Sequence, residues 1–415
     1  MIPRLDDYKK KWAVDSDLSI KPGLDAILEA LEMLQNPEQK CSYVHVAGTN
    51  GKGSTIAFLE QIARNHGLKV GKFMSPCIVD VHDQLQINGK SITENEMDEL
   101  FIQLKNAGLS GKLTDFELLT CTAFLYFSQQ EVDLVLLETG MGGREDSTNV
   151  ITPIVSIITS IALEHTRFLG STIESIAKHK AGIIKENIPA VIGRLPQEAF
   201  QVIEAEAFAK HAPIIALGDH FDVTVDDTDV YTNDGNGLEI NKLERVLPGA
   251  HQADNMALAI TAFFEVADYL KIPIEIDEIR NAVRMTSLPG RFEEVLANVY
   301  FDGAHNPASA EKLMETIKRQ FPNEPIRFVI GMLADKDVKT VLQLLEQVSD
   351  EFYFVDFENE RAMTSEKMMA LSAASNVAVL TDYISFLENV STKEGKTFVT
   401  GSLYLLTEIR EQLLK

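Results

Sequence analysis

The run Tyr43-Val44-His45-Val46-Ala47 leads directly into Gly48-Thr49-Asn50-Gly51-Lys52-Gly53-Ser54-Thr55, and a helical pattern follows through Ile56, Leu59, Ile62 and Ala63. This strand–glycine loop–helix order restricts the fold more than anything else in the chain. A short, nearly continuous apolar run is a strand buried on both faces, and helices packed on a parallel sheet supply that burial. Val132 to Leu137, Ile154 to Ile158 and Ala190-Val191-Ile192 repeat the pattern with helices between them. The texture changes from Phe221 to Leu247, where Asp, Thr, Asn and Gly break the chain into pieces suited to a small β-rich insertion. A helix resumes at Asn255 and runs through Leu258, Ile260, Phe263 and Phe264.

Ser287-Leu288-Pro289-Gly290-Arg291 is the strongest boundary signal of the second half. After it the alternation restarts, with strands expected at Val299 to Phe301, Phe328 to Ile330, Tyr353 to Val355, Val377 to Leu380 and Phe398-Val399. A chain of 415 residues suits two domains, each with its own core. The expected fold class is α/β: an N-terminal P-loop-type, parallel-sheet ATPase domain over residues 1–288, then a smaller Rossmann-like α/β domain over residues 289–415.

In its strand-to-helix context the glycine loop predicts a phosphate site. Its glycines let backbone N–H groups turn toward phosphate oxygens, and the helix N-terminus adds a positive field. Lys52 can neutralise β- and γ-phosphate charge, with a hydroxyl of Ser54 or Thr55 available for magnesium or phosphate. The spacing is compressed relative to the usual pattern. Only Thr49 and Asn50 separate Gly48 from Gly51, and Gly53 intervenes after Lys52. The alternative is a tight turn that only caps a helix.

The formal net charge of −24 argues against a general affinity for nucleic acid or anionic membrane. Bound phosphate must therefore be held by a local arrangement of N–H groups, a few cations and metal. Cys41, Cys77 and Cys121 are widely spaced and suggest neither a disulfide framework nor a zinc site. The start, Met1-Ile2-Pro3-Arg4-Leu5-Asp6-Asp7, has no apolar run of a signal peptide, and Pro153 to Leu163 is too short to span a bilayer. A cytoplasmic monomer is expected.

Glu138 ends one expected strand, and Ala162-Leu163-Glu164-His165 ends the next, on the sheet edge where ligands bind. Glu138 and His165 could meet near the phosphate loop as magnesium ligands, or serve as a turn cap and an ordinary loop histidine. Lys178-His179-Lys180-Ala181-Gly182-Ile183-Ile184-Lys185 is a basic island whose plain reading is a solvated helix face. Phe301-Asp302-Gly303-Ala304-His305-Asn306-Pro307 again puts polar groups at a strand end. There Asp302 suits ribose hydroxyls, His305 an anionic or amine substrate, and Arg291 phosphates.

Read together, these segments resemble the folylpolyglutamate synthase family of the ATP-dependent Mur ligase group. The resemblance rests on Gly48 to Ser54, Ser75-Pro76, Glu138 to Gly143, Asp146-Ser147-Thr148-Asn149, Ala162 to His165 and Lys180-Ala181-Gly182-Ile183. It continues through Pro289-Gly290-Arg291-Phe292-Glu293, Asp302 to Pro307, Leu333-Ala334-Asp335-Lys336-Asp337 and Thr400-Gly401-Ser402. The resemblance implies magnesium on Ser75, Glu138 and His165, and a carbamate on Lys180. It further implies ATP contacts from the loop residues Gly48, Thr49, Asn50, Gly51, Lys52, Gly53 and Ser54 and from Asn255, Arg291 and Asp302. His305 and Ser402 would hold glutamate, and Lys52, Lys180 and His305 would be the catalytic set. Two positions depart from the family pattern: Cys77 stands where His or an aromatic is common, and Glu164 where Asp is usual before the turn histidine.

The implied reaction starts with transfer of the ATP γ-phosphoryl group to the γ-carboxylate of a folate. Attack on the acyl phosphate by the amine of L-glutamate then gives an amide, ADP and phosphate. A folate site is expected in the first domain and a cleft between the domains is expected to exclude water. The related reading is dihydrofolate synthase, joining dihydropteroate to glutamate, or both activities in one enzyme. A cell-wall amino-acid ligase fits the Lys52-Gly53-Ser54 spacing and the Asp302 segment less well. A regulatory P-loop ATPase leaves His305 and Ser402 without a use.

Overall fold

A computed structural model of the protein describes residues 2–17, 23–235 and 237–413. Met1 and the last two residues of the expected domain spans thus lie outside the described residues. The first sheet has eight strands, in the spatial order Lys90–Ser91, Leu85–Ile87, Val70–Phe73, Leu134–Glu138, Tyr43–Ala47, Val155–Ile158, Ala190–Ile192 and Ile214–Ala216. It is parallel from Val70–Phe73 onward. The two short strands at one edge run antiparallel. Every residue of Tyr43–Ala47 and Leu134–Glu138 is buried, which is why these strands read as continuous runs and not as an alternation. Phe124, Phe127, Val135 and Leu137 belong to one core cluster, and Ala47, Ile158, Ile176 and Ile203 to another.

The expected β-rich insertion is an antiparallel sheet in the order Leu238–Leu243, Asp229–Asn233, Phe221–Thr224. The helix after it begins at Ala250, earlier than its apolar pattern, and reaches Leu270. A six-stranded sheet follows, in the order Glu293–Leu296, Val299–Phe301, Lys396–Thr400, Ile326–Ile330, Glu351–Phe354, Asn376–Val379. Only its first strand is antiparallel. The α/β class and the sheet types are those expected from the sequence.

The chain divides into two compact units. One comprises Ile2–Val246 and Gln252–Thr286; the other comprises Leu247–His251 and Ser287–Lys415. Among the described residues no helix is long and apolar enough to cross a membrane.

Register places the candidate residues of the first unit. Val46 pairs with Glu138, Ala47 with Ile158, and Phe73 with Leu137. The segments after four neighbouring strands therefore emerge at one edge, carrying Ser75, Glu138, the glycine loop and Glu164-His165.

Candidate active site

The glycine loop is fastened from two sides. Thr159 and Ser160, just past the Val155–Ile158 strand, both donate to the Asn50 carbonyl, at 2.6 and 2.9 Å. The Asn50 N–H returns a bond to Ser160 Oγ at 2.9 Å. Thr49 Oγ1 donates to the Ala162 carbonyl and accepts from its N–H, each at 3.1 Å. A Cβ on Gly48 would stand 1.9 Å from Thr159 Oγ1, so only glycine permits this approach. Gly51 needs glycine twice over: its φ is +86°, and a Cβ would meet Asn255 Oδ1 at 2.4 Å. The Asn255 amide is itself oriented by Gln252, to which its Nδ2 donates at 3.0 Å. Asn255 is thus brought to the loop from a distant helix.

Helix Lys52–Asn65 starts at Gly51 with no side-chain cap and no acidic residue in its first turn. Its leading N–H groups are the kind that take an anion. Lys52 folds back over the loop, where its Nζ donates to the Gly48 carbonyl at 3.0 Å and lies 3.7 Å from Glu138 Oε1. An ammonium beside an uncapped helix start is an arrangement that can take the charge of an anion.

Glu138 is the last residue of its strand and is buried. The Gly140–Gly143 turn after it packs on the end of helix Ile173–Ala181, which carries Lys180. A Cβ on Gly143 would lie 2.9 Å from the His179 carbonyl, and one on Gly182 would lie 2.3 Å from Arg144 Cβ. The Arg144 N–H donates to the His179 carbonyl at 2.7 Å, and Asn149 Nδ2 donates to the carbonyls of Arg144 and Gly182 at 3.0 Å. These contacts explain why Glu138 to Gly143, Asp146 to Asn149 and Lys180 to Gly182 occur as three separate motifs. They form one packed unit.

Lys180 is not the solvated residue of the plain reading. It is buried, and burial, helped by the nearby charge of Lys52, pulls its amine down to about 7 while Glu164 and Asp146 pull the other way. Burial likewise raises the Asp146 carboxyl, although Met141 N–H, Thr148 N–H and Thr148 Oγ1 all donate to it. His165 sits at φ +49° and turns its Nε2 to within 3.7 Å of the neighbouring Glu164 Oε1.

Among the described residues no three His, Cys, Asp or Glu side chains are gathered into a preformed metal cage. Magnesium does not need one: it commonly takes one or two carboxylates, waters and substrate phosphate oxygens. The buried Glu138 carboxylate, at the sheet edge where the segment carrying Ser75 also emerges, offers the oxygen donor that ion takes.

In the second unit Asp302 follows the Val299–Phe301 strand and accepts from Phe292 N–H and Ala304 N–H, each at 3.0 Å. Burial raises its carboxyl, and Arg291 opposes that rise. The Arg291 guanidinium lies across Gly303, where a Cβ would be 2.1 Å from Nη1. His305 Nδ1 donates to the Gly303 carbonyl at 2.8 Å, which places a proton on that nitrogen. The Gly401 N–H donates to the Ala304 carbonyl at 3.0 Å, joining this loop to the one carrying Ser402. Ser402 Oγ also accepts from Tyr404 N–H at 3.2 Å, a helix-start bond that sequence reading did not anticipate. Also unanticipated were Thr159, Ser160 and Gln252, which orient loop residues from segments far away in sequence.

Two family models match the chain: the Mur ligase middle domain over residues 46–263 and the dihydrofolate synthetase C-terminal domain over residues 290–413. The dihydrofolate synthase/folylpolyglutamate synthase of Bacillus subtilis is 36% identical over 95% of each chain. The folylpolyglutamate synthase of Lacticaseibacillus casei is 33% identical over 94% of each. Escherichia coli FolC in complex with DHPP and ADP superposes with a TM-score of 0.90 at 30% identity, covering 99% of this chain and 97% of that one.

Proposed function

Since this chain belongs to the dihydrofolate synthase and folylpolyglutamate synthase family of Mur ligases, we propose that it uses ATP to join L-glutamate to the γ-carboxylate of a reduced folate. The observation that carries this reading is the convergence of the glycine loop, Lys52, Glu138 and Lys180 at one sheet edge. A second reading, dihydropteroate as acceptor in place of or beside folate, is favoured by the Bacillus subtilis relative, whose name carries both activities.

In the reaction Lys52 leaves the Gly48 carbonyl for the β/γ-phosphates, and the uncapped N–H groups of its helix hold the phosphate oxygens. Magnesium, on Glu138 and Ser75 with His165 completing the set, would offset the charge that builds on the transferring phosphoryl group. Asn255, Arg291 and Asp302 are assigned to ATP, and His305 and Ser402 to glutamate, on the likeness of their loops to those of the family. The deciding experiment is glutamate-dependent ADP release with dihydropteroate and with tetrahydrofolate in turn. ADP release that ignores both pterins and glutamate would leave only the regulatory ATPase.

If His305 holds glutamate, His305→Ala should raise the KM for glutamate about tenfold or more, the worth of one hydrogen bond to a charged group. The KM for ATP should stay within about twofold. Equal rises in both would remove His305 from the amino-acid site.

The acyl-phosphate route has its own signature. The γ-phosphorus bonds to a carboxylate oxygen as its bond to the β-phosphate oxygen breaks and ADP leaves; then the glutamate amine attacks the carboxyl carbon, loses a proton, and the C–O bond to phosphate breaks. That oxygen departs on inorganic phosphate. Folate labelled with heavy oxygen in the γ-carboxylate is therefore expected to give singly labelled phosphate in step with amide. Unlabelled phosphate beside normal product would exclude this route.

A further inference from the structure

The chain between the Val70–Phe73 and Leu85–Ile87 strands leaves the sheet at the candidate site, carries Ser75 and Cys77, and returns. Its base is closed: Phe73 pairs with Leu85, and the Met74 N–H donates to the Gln84 carbonyl at 3.1 Å. An inner tie comes from Asp83, one of whose oxygens accepts from Ile78 and Val79 N–H at 2.8 and 2.5 Å. Its returning limb, Asp80 to His82, is held from outside, by the N-terminal helix Leu5–Trp12 and the residues just before it.

That hold is a chain of hydrogen bonds, buried at Tyr8–His82 and part-buried at His82–Asp80. Tyr8 Oη lies 2.7 Å from His82 Nε2, and His82 Nδ1 lies 2.7 Å from Asp80 Oδ1. Asp80 Oδ1 also accepts from the His82 N–H at 2.9 Å, and its other oxygen faces Arg4 Nη1 at 3.4 Å. The Val81 N–H donates to the Pro3 carbonyl at 3.1 Å. Because the Asp80 carboxylate only accepts, His82 Nδ1 carries a proton. Nε2 is then left to accept from the Tyr8 hydroxyl. The Tyr8 ring is also packed against Phe101, with centroids 5.5 Å apart. None of this is needed to complete the sheet.

We propose that the Tyr8–His82–Asp80 chain is a positioning device for Ser75, which makes the N-terminal helix part of the support of the active site. This rests on the assignment of Ser75 to magnesium given above. Magnesium demands near-ideal octahedral geometry, and partners one step removed from a metal set the direction of its ligands. Ser75 lies on the outgoing limb between the base and the Asp83 tie, and the tie couples the two limbs, so holding the returning limb at Asp80 to His82 limits pivoting of the whole loop about its base.

Two shape-preserving variants of the full chain test the proposal. Tyr8→Phe keeps the ring on Phe101 and removes the hydroxyl; Asp80→Asn keeps the outline and weakens the acceptor. Amide hydrogen exchange over residues 74–84 should quicken about fivefold, the equivalent of one net hydrogen bond. The magnesium concentration that half-saturates calorimetric ATP binding should rise about tenfold, with the KM for glutamate unchanged. Ser75→Ala should raise the magnesium requirement by itself, and adding Tyr8→Phe to it should loosen exchange without raising that requirement further. Faster exchange with an unchanged magnesium requirement in Tyr8→Phe would make the bonds merely structural and overturn the proposal. So would a full additional effect of Tyr8→Phe in the Ser75→Ala background. If Ser75→Ala alone leaves the magnesium requirement unchanged, the metal assignment falls first and the positioning role falls with it.

Discussion

Lys52→Ala is expected to lower kcat for glutamate-dependent ADP release by about 10²–10³-fold at saturating ATP, the usual cost of deleting one preorganised stabiliser of transition-state charge. The loop itself should survive, because its fastenings run through Thr49, Asn50, Thr159 and Ser160 and not through the lysine. The variant does leave the buried Glu138 without the ammonium now 3.7 Å away, so a modest fall in Tm is also expected. Lys52→Arg separates the two effects. It restores a cation near Glu138 and with it the Tm, but a planar fork on a longer stem does not reproduce a point charge at the phosphates, so turnover stays low. Turnover within about tenfold of the native enzyme in Lys52→Ala would remove this side chain from the chemistry.

The sequence announced those parts of the fold in which one segment suffices. Tyr43–Ala47 and Leu134–Glu138 are buried along their whole length, so their strands showed as nearly continuous apolar runs. Val70–Phe73 was not anticipated, because its run is broken by Gly71 and by Lys72, which is paired with Glu60 Oε2 of the preceding helix at 2.5 Å. The hairpin after it was also missed, although Asn88 and Gly89, at φ +50° and +74°, are the residue pair such turns favour. The start of the long helix at Ala250 was not legible, because its first turns carry His251, Gln252 and Asp254, and Gln252 is buried through its bond to Asn255, so no apolar period is there to read.

The same division runs through the site. Lys52 was legible, since the loop that positions it is contiguous with it. The surroundings of Lys180 were not: a Lys-His-Lys run reads as solvent-facing until Gly143 and Gly182 let two loops close over it. Ser402 shows the opposite case, a residue expected to bind substrate that also serves its own helix.

That burial makes Lys180 the second decisive residue. An amine at about 7 is half neutral at neutral pH, about 10³-fold more than a lysine at the ordinary 10.5, and only the neutral form attacks CO₂. The neutral amine forms the new N–C bond with loss of one proton; counted from the ammonium two protons leave, and a cation crowded by Lys52 becomes an anion attracted to it. We therefore expect Lys180→Ala to lose about 10²–10³-fold in kcat, as for any deleted charge at this centre, and to recover part of it with formate or acetate. The pH dependence follows from the sign of the shift. The folded value lies below the unfolded one, so the unfolded chain binds more protons between pH 7 and 10.5 and stability rises with pH across that window. The cost of burying the charged amine is fully present below pH 7. In CO₂-free buffer Lys180→Met should therefore exceed the native enzyme in Tm at pH 6, with the advantage fading toward pH 10, even though it is inactive. Lys52→Ala removes a charge that depresses this amine and should raise its titration, leaving less carbamate at neutral pH. Carbon-13 bicarbonate supplies the direct measurement: the native enzyme with nucleotide bound should show a carbamate carbon resonance that Lys180→Ala lacks and that weakens as pH falls from 8 to 6. An unmodified ammonium in the nucleotide-bound enzyme, with full activity in CO₂-free buffer, would end the carbamate assignment.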